Sequence, residues 1–233
     1  MKRNLPPETI LAIVPAFNEA ENLPAVLPRI PKKVCGRPLS VLVVNDGSTD
    51  DTSKVAGEFG AFVLDLSARR GGGAALRAGF EDAKKRGVEI VVTLDADGQH
   101  QPEEIETLVS PILEGEADLV IGSRLLGDYE KDSELRRVGI HFFNGLIRIL
   151  SGIRVTDCSS GFRAFRLSEL KKLHLVQDQY HTAEMILEAG KKGVRIVERP
   201  ITVKRRWKGK SKKGNHLAYG FHFCRTLLKT WWR

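Results

Sequence analysis

Cysteine is scarce in this 233-residue chain. The three present, Cys35, Cys158 and Cys224, are odd in number and widely spaced. They support neither a disulfide framework nor a CxxC zinc site, so a reducing compartment is the default. Long apolar runs are also missing. No window approaches the roughly 18 uninterrupted apolar residues of a membrane span. The first ten residues carry Lys2 and Arg3 but no apolar stretch ahead of Pro6 and Pro7, so no secretory signal is expected. No period recurs, which excludes collagen-like, coiled-coil and repeat architectures. The six histidines form no HExxH or other zinc spacing. There is no GxSxG, and no Cys–His pair can be argued, so nucleophilic catalysis by a side chain is not indicated. Acidic residues are outnumbered, 29 Asp+Glu against 37 Lys+Arg, leaving a net charge of +8. Such an excess suits an anionic partner: nucleic acid, phosphate esters or an anionic membrane surface.

What is present is enough for a sizeable core, with 42% of residues hydrophobic. Five short apolar runs rich in β-branched residues read as strands buried on both faces: Ile10–Val14, Val41–Val44, Ala61–Leu64, Ile90–Leu94 and Leu119–Ile121. Helical stretches are expected between them, at Glu19–Arg29, Thr49–Phe59, Gly73–Arg86 and Pro102–Leu113. Alternation of strand and helix predicts an α/β fold with a mostly parallel, Rossmann-like sheet. Beyond it, Arg136–Leu150 and Ala183–Lys192 read as helices. Asp157–Phe165 reads as a loop running into a short strand. Val194–Val203 reads as a strand pair or one strand kinked at Pro200. The chain is expected to divide into residues 1–203, one α/β domain, and 204–233, a basic loop with an aromatic tail.

Ligands of open α/β sheets bind at the carboxyl ends of the strands. The polar clusters of this sequence sit there. Asp95 and Asp97 flank Ala96 just past a strand. Two carboxylates at that spacing can converge on a hard divalent cation that shares substrate phosphates, with Gln99 and His100 close by. An acidic turn without a metal is the plain alternative, and the position among the other polar strand ends favours the metal. Asp46 can accept hydrogen bonds from a nucleobase or ribose, beside Ser48 as a helix cap. Gly71-Gly72-Gly73 precedes a helix but is neither a Rossmann fingerprint nor a P-loop, and close helix packing explains it better than phosphate contact. Arg124, Arg136 and Arg206 are candidate phosphate clamps, Arg124 foremost because it follows an apolar strand. Residues 204–213 hold seven Lys/Arg in ten, with Trp207 among them.

In order, Pro15-Ala-Phe-Asn-Glu19, Val44-Asn-Asp-Gly-Ser-Thr-Asp50, Asp95-Ala-Asp97-Gly-Gln99, Gly122-Ser-Arg124 and Ser160-Gly-Phe-Arg163 resemble glycosyltransferase family 2. Glu198-Arg-Pro-Ile201, followed by Arg206, Gly209, Ser211 and Lys212, is similar to the C-terminal signature of its dolichyl- or polyprenyl-phosphate mannose synthase branch. The resemblance covers residues 8–214. It implies a GT-A fold, a nucleoside-diphosphate sugar donor (GDP-mannose in that branch) and Mg²⁺ or Mn²⁺. By position, Pro15, Phe17, Glu19, Val44 and Asp46 would hold the nucleoside. Asp95, Ala96, Asp97 and Gln99 would hold metal and diphosphate. Arg124, Arg206 and Lys212 would contact phosphates, and Arg136 would sit where the lipid phosphate enters. Three positions depart from the pattern: Gly72 replaces a frequent Lys, Ile140 a frequent hydroxyl residue and Phe17 a frequent Tyr.

The implied reaction is an inverting transfer to a polyprenyl or dolichyl phosphate, with Asp95, Asp97, Arg124 and Arg206 as the catalytic group. A phosphate acceptor is already an anion and needs no general base. The enzyme would work peripherally at an anionic membrane surface, on the cytoplasmic face. The tail with Phe221, Phe223, Leu227, Leu228, Trp231 and Trp232 would serve as interfacial anchor or seat a membrane partner subunit. Asp157 is expected to orient Arg163 or its loop. The alternatives are a soluble or polysaccharide acceptor with Glu184 as base, or a silent nucleotide-sugar- or nucleic-acid-binding protein. The last rests on the basic run alone, and no nucleic-acid partner is expected.

Overall fold

The computed structural model describes residues 5–130, 134–205 and 216–233, with the side chains of 134–137, 216–219 and 221 left aside. The chain runs β1 (Ile10–Ala16), α1 (Leu23–Val26), a 3₁₀ turn (Leu27–Arg29), β2 (Lys33–Val34), β3 (Arg37–Asn45), α2 (Thr52–Glu58), β4 (Phe62–Asp65) and α3 (Gly72–Arg86). It continues through β5 (Ile90–Thr93), a 3₁₀ turn (Pro102–Glu104), α4 (Ile105–Leu113), β6 (Leu119–Ser123), α5 (Glu134–Ser151), β7 (Arg163–Arg166), α6 (Leu167–Leu170), α7 (His181–Lys191), β8 (Ile196–Pro200) and α8 (His216–Trp232).

The strands form one sheet in the order β2-β3-β1-β5-β7-β6-β8, with β4 paired to the C-terminal half of β3 on the edge away from β1. Period-two alternation divides its side chains between two cores. Leu11, Ile13, Leu42, Val44 and Val91 pack with Phe80 of α3, Ile186 of α7 and Phe223 of α8. Ile10, Ala12, Val14, Val43 and Val92 pack with Leu23 of α1 and with Ile105, Leu108 and Ile112 of α4. Strands buried on both faces need no polar alternation, which is why they read as continuous apolar runs.

The differences from expectation have local causes. Helix α1 stops at Val26 instead of extending over 19–29, because Pro28 has no N–H to give to the carbonyl four residues back. Helix α2 starts at Thr52, since Asp50 takes the Thr52 N–H and the Ala20 N–H and holds the preceding turn open. Strand β3 begins at Arg37, four residues early. It pairs back on β2 through a two-residue turn in which Cys35 and Gly36 have φ of 49° and 75°. Positive φ at both turn positions matches the right-handed strand twist. Strand β7 lies antiparallel between β5 and β6, so the sheet is mixed at its middle. Residues 194–203 give one strand, β8, followed by an isolated bridge at Val203.

Helix α3 shows why three glycines stand in a row. Gly71, at φ 113°, turns the chain into the helix. A Cβ on Gly73 would lie 2.2 Å from the Gln177 carbonyl oxygen, and one on Gly71 2.7 Å from that of Asp178. The loop over 177–178 thus seats directly on the glycines, and Gly73 N–H donates to Asp178 O at 2.8 Å. Gly73→Ala is expected to lower the melting temperature by about 2–10 °C, from an overpacking cost of about 1–3 kcal/mol. A thermal melt at wild-type temperature would count against this packing.

Candidate active site

Strands β3, β1, β5 and β6 all point their C-terminal ends to one edge, because β7 is antiparallel to both β5 and β6. Four inter-strand spacings separate β3 from β6, about 19 Å along that edge. That length suits an extended ligand laid across the strand ends. Being antiparallel, β7 enters from the same edge, so the loop 157–162 before it also joins the cleft.

The end of β3 carries Asp46, which is buried. Its two carboxylate oxygens accept the N–H groups of Arg70 at 2.8 Å and Gly71 at 2.7 Å. The carboxylate therefore fixes the glycine loop against the strand end. Phe17, past β1, lies under Arg69, whose guanidinium carbon is 4.2 Å from the ring centroid. Glu19 is buried, with Oε2 accepting from Asn22 Nδ2 at 2.5 Å and its N–H donating to Thr52 Oγ1 at 3.0 Å. Pro15 is half-buried in β1, opposite Val44 in register. The Val44 side chain faces the core under α3, where a Cβ on Gly79 would stand 3.2 Å from it. The side chains of Val44 and Ala96 both lie in the core, so only their main-chain groups are left for the binding role the resemblance implies.

The end of β5 carries Asp95, exposed, and Asp97, buried. A Cβ on Gly161 would lie 3.0 and 3.2 Å from the two Asp95 carboxylate oxygens, so a larger residue there would press on that carboxylate. Asp97 Oδ1 accepts the Gln99 N–H at 3.1 Å. His100 is buried and stacked on Phe162 at 5.2 Å, and its Nδ1 accepts the Asp95 N–H at 3.4 Å. Burial pushes the His100 pKa down, and the Asp95 and Asp97 carboxylates only partly oppose this. Both carboxylates act on this one imidazole, which places them around the same loop. Among the described residues no group of three or more His, Cys, Asp or Glu side chains converges as a closed metal cage. Two hard oxygen donors on a strand end, one exposed, do fit Mg²⁺ or Mn²⁺, which keep several positions for phosphate and water.

The end of β6 carries Arg124, buried against Asp157. Arg124 Nε donates to Asp157 Oδ2 at 2.5 Å and Arg124 N–H to the same oxygen at 3.2 Å. Burial pulls the Arg124 pKa down, but the charge and hydrogen bond of Asp157, joined by Tyr129 and Asp95, together outweigh it and hold the pKa above its usual value. Of the two expectations for Asp157, it does hold its own loop, through the Ser159 N–H and hydroxyl, but its ion-pair partner is Arg124 and not Arg163. Arg163 donates to the carbonyls of Ser160, Thr182 and Cys158, in the buried interior behind the loop. Burial takes its pKa down to about 10, so it remains charged at neutral pH.

Residues 203–205 are stitched between two loops of the site. Lys204 N–H donates to Gln99 O at 2.9 Å, and Gln99 Nε2 to Lys204 O at 3.2 Å. On the other side, Glu130 N–H donates to Val203 O at 3.0 Å, and Arg205 N–H to Glu130 Oε2 at 3.0 Å. The basic run thus begins beside the Asp95/Asp97 loop. Arg206 and Lys212 lie outside the described residues, as does the Arg136 side chain in the first turn of α5.

Glu184, the alternative base, is fully buried on α7. Its oxygens accept the N–H groups of Val176 and Gln177, each at 3.0 Å, and one also meets Arg233. It braces the loop that seats on the glycines. Glu184→Gln is expected to lower the melting temperature by about 2–10 °C, the effect of an unsatisfied buried group worth about 1–3 kcal/mol, and to leave kcat close to wild type. A collapse of kcat in a folded Glu184→Gln enzyme would restore it as a base. Sequence reasoning placed His100 beside the metal loop, but it missed Asn144 and gave Glu198 no role of its own. Of these two, only Glu198 carried a signal, inside the Glu198–Ile201 signature.

The family model described as glycosyl transferase family 2 matches residues 11–174. The chain belongs to glycosyltransferase family 2. This glycosyltransferase is 36% identical over 219 residues to a polyprenol monophosphomannose synthase of Mycolicibacterium smegmatis, covering 89% of this chain and 82% of that one. It is 36% identical over 215 residues to an undecaprenyl-phosphate mannosyltransferase of Micrococcus luteus, covering 87% and 86%. The fold is GT-A: a glucosyl-3-phosphoglycerate synthase of Mycobacterium tuberculosis superposes with a TM-score of 0.74 over 96% of this chain and 78% of that one, at 23% identity. That enzyme was crystallised with Mn²⁺ and UDP, and in another crystal with Mg²⁺ and UDP. Among the described residues of the glycosyltransferase, no helix is long and apolar enough to cross a membrane.

Proposed function

We propose that this glycosyltransferase transfers a hexosyl group, mannose from GDP-mannose, to a polyprenyl or dolichyl phosphate with inversion at the anomeric carbon. The observation that carries the reading is the path of residues 203–205, which starts the cation-rich run next to the Asp95/Asp97 loop. A cleft provided with cations and, among the described residues, without a carboxylate ready to act as base suits an acceptor that arrives already ionised. Asp157 is engaged by Arg124 and Ser159, and Glu184 by main-chain amides. The names of the relatives support the same acceptor class.

In this reading the nucleoside lies over Phe17, Glu19 and Asp46, and the diphosphate crosses the end of β5. A divalent cation held by Asp95 and Asp97, with Gln99 beside them, would neutralise charge on the departing diphosphate. Arg124, Arg206 and Lys212 bind phosphate oxygens and set the acceptor in line with the anomeric carbon. Buried cations such as Arg124 act strongly because little water screens them.

Membrane contact follows from the acceptor. Residues 216–233 contain no Asp or Glu, and α8 exposes Leu228, Trp231 and Trp232. Such a helix suits the surface of an anionic bilayer.

The test is transfer of radiolabel from GDP-mannose to polyprenyl phosphate in Mg²⁺ or Mn²⁺, with UDP-glucose and UDP-N-acetylglucosamine as parallel donors. The expected result is label in the organic phase, with a product anomer opposite to the donor's. Label passing only to a soluble or polysaccharide acceptor would overturn the proposal. Flotation with anionic vesicles checks the membrane component, and protein remaining at the bottom of the gradient would count against it.

A further inference from the structure

The Arg124–Asp157 pair depends on a loop that is gripped from two sides. On one side, half-buried Glu198 of β8 accepts two consecutive main-chain N–H groups. Its Oε2 takes Thr156 N–H at 2.7 Å and its Oε1 takes Asp157 N–H at 3.0 Å. On the other side, buried Asn144 of α5 donates from Nδ2 to the Thr156 carbonyl and accepts the Cys158 N–H on Oδ1 at 3.0 Å. Thr156 Oγ1 closes on Ser123 Oγ at 2.6 Å, which ties the gripped loop to the residue just before Arg124. Asp157 Oδ1 is held by the Ser159 N–H and hydroxyl, which leaves Oδ2 directed at Arg124.

We infer that Glu198 and Asn144 are positioning residues for sugar transfer, fixing the loop 156–158 so that Asp157 sets the Arg124 guanidinium at the cleft. The inference rests on the proposed role of Arg124 in phosphate binding. Each residue acts through main-chain groups whose place decides where one carboxylate oxygen sits. The geometry also explains the residue types. Two N–H groups presented side by side need an acceptor with two equivalent oxygens, which a carboxylate has. A glutamine there would set its own NH₂ against one of the donors. A carbonyl and an N–H two residues apart need a donor and an acceptor on one planar group, which asparagine has.

Small misplacements of a group that acts in the transition state lower turnover more than binding. The test is steady-state kinetics of Glu198→Gln and Asn144→Ala, alone and each combined with Arg124→Ala, with melting temperatures measured alongside. Each single variant is expected to lose about 10–100-fold in kcat while the donor KM changes little. Each double variant is expected to match Arg124→Ala alone, since a misplaced arginine cannot be lost twice. Additive losses in the double variants, or single variants with wild-type kcat, would overturn the inference. Unimpaired transfer by Arg124→Ala would overturn both this inference and the reading beneath it. An Arg124→Ala defect with normal Glu198→Gln and Asn144→Ala would overturn the positioning alone. Asn144→Ala leaves the Glu198 contacts intact and serves if Glu198→Gln does not fold.

Discussion

Asp97→Ala is expected to reduce sugar transfer by on the order of 100-fold or more, the usual effect of removing a preorganised charge from a site where charge develops. Asp97 is buried at the end of β5, and its Oδ1 holds the Gln99 N–H. Losing it removes one of two carboxylates available to a divalent cation and frees the loop that carries Gln99. Asp97→Asn would keep the hydrogen bond and lose the charge, so a comparable defect in both variants assigns the effect to charge. Turnover at saturating Mn²⁺ and a Mn²⁺ titration in the presence of nucleoside diphosphate provide the measurements. Near-normal turnover of Asp97→Ala in Mn²⁺ would remove the metal role from this loop. Activity surviving exhaustive chelation by EDTA would do the same for the metal as a whole.

Asp157→Ala is the second large effect. The carboxylate is fully buried and Arg124 nearly so. Removing one partner of a buried ion pair leaves the other charged and uncompensated, at a cost of about 3–5 kcal/mol. The melting temperature is then expected to fall by about 6–20 °C for a domain of this size. Transfer falls with it, because Arg124 loses the group that sets its orientation. An unchanged melting curve would show that Arg124 finds another anion or water, and would undo the pairing as a structural element.

Much of the fold was legible because strands buried on both faces advertise themselves as unbroken apolar runs. Ile10–Val14 and Ile90–Leu94 are examples, and their polar termini marked the cleft. The position of Asp46 at a strand end could be read in the same way. The main-chain N–H groups that occupy its carboxylate could not, since they come from a loop 24 and 25 residues away. The short antiparallel strand Arg163–Arg166 was seen as a strand, but four residues contain no statement of direction. Its direction decides which loop reaches the cleft, and so the hold of Asp157 on its own loop could be expected while its pairing with Arg124 could not. The Cys35-Gly36 turn was silent because cysteine is not a usual residue at positive φ. Asn144, and the role of Glu198 within its signature, were beyond reach for a similar reason. Their partners are main-chain groups, which every residue has and no sequence distinguishes.

The reversed strand β7 has one more consequence. Because it runs against its neighbours, the segment that supports Arg124 feeds straight into the middle of the sheet, where Thr93 Oγ1 also holds the Gly161 carbonyl at 2.7 Å. Main-chain hydrogens at 160–165 should therefore exchange with solvent at the pace of whole-molecule opening, unlike those of an ordinary surface loop. Evolution or engineering toward a different acceptor would find this segment unyielding and would have to work on the outer rim of the cleft.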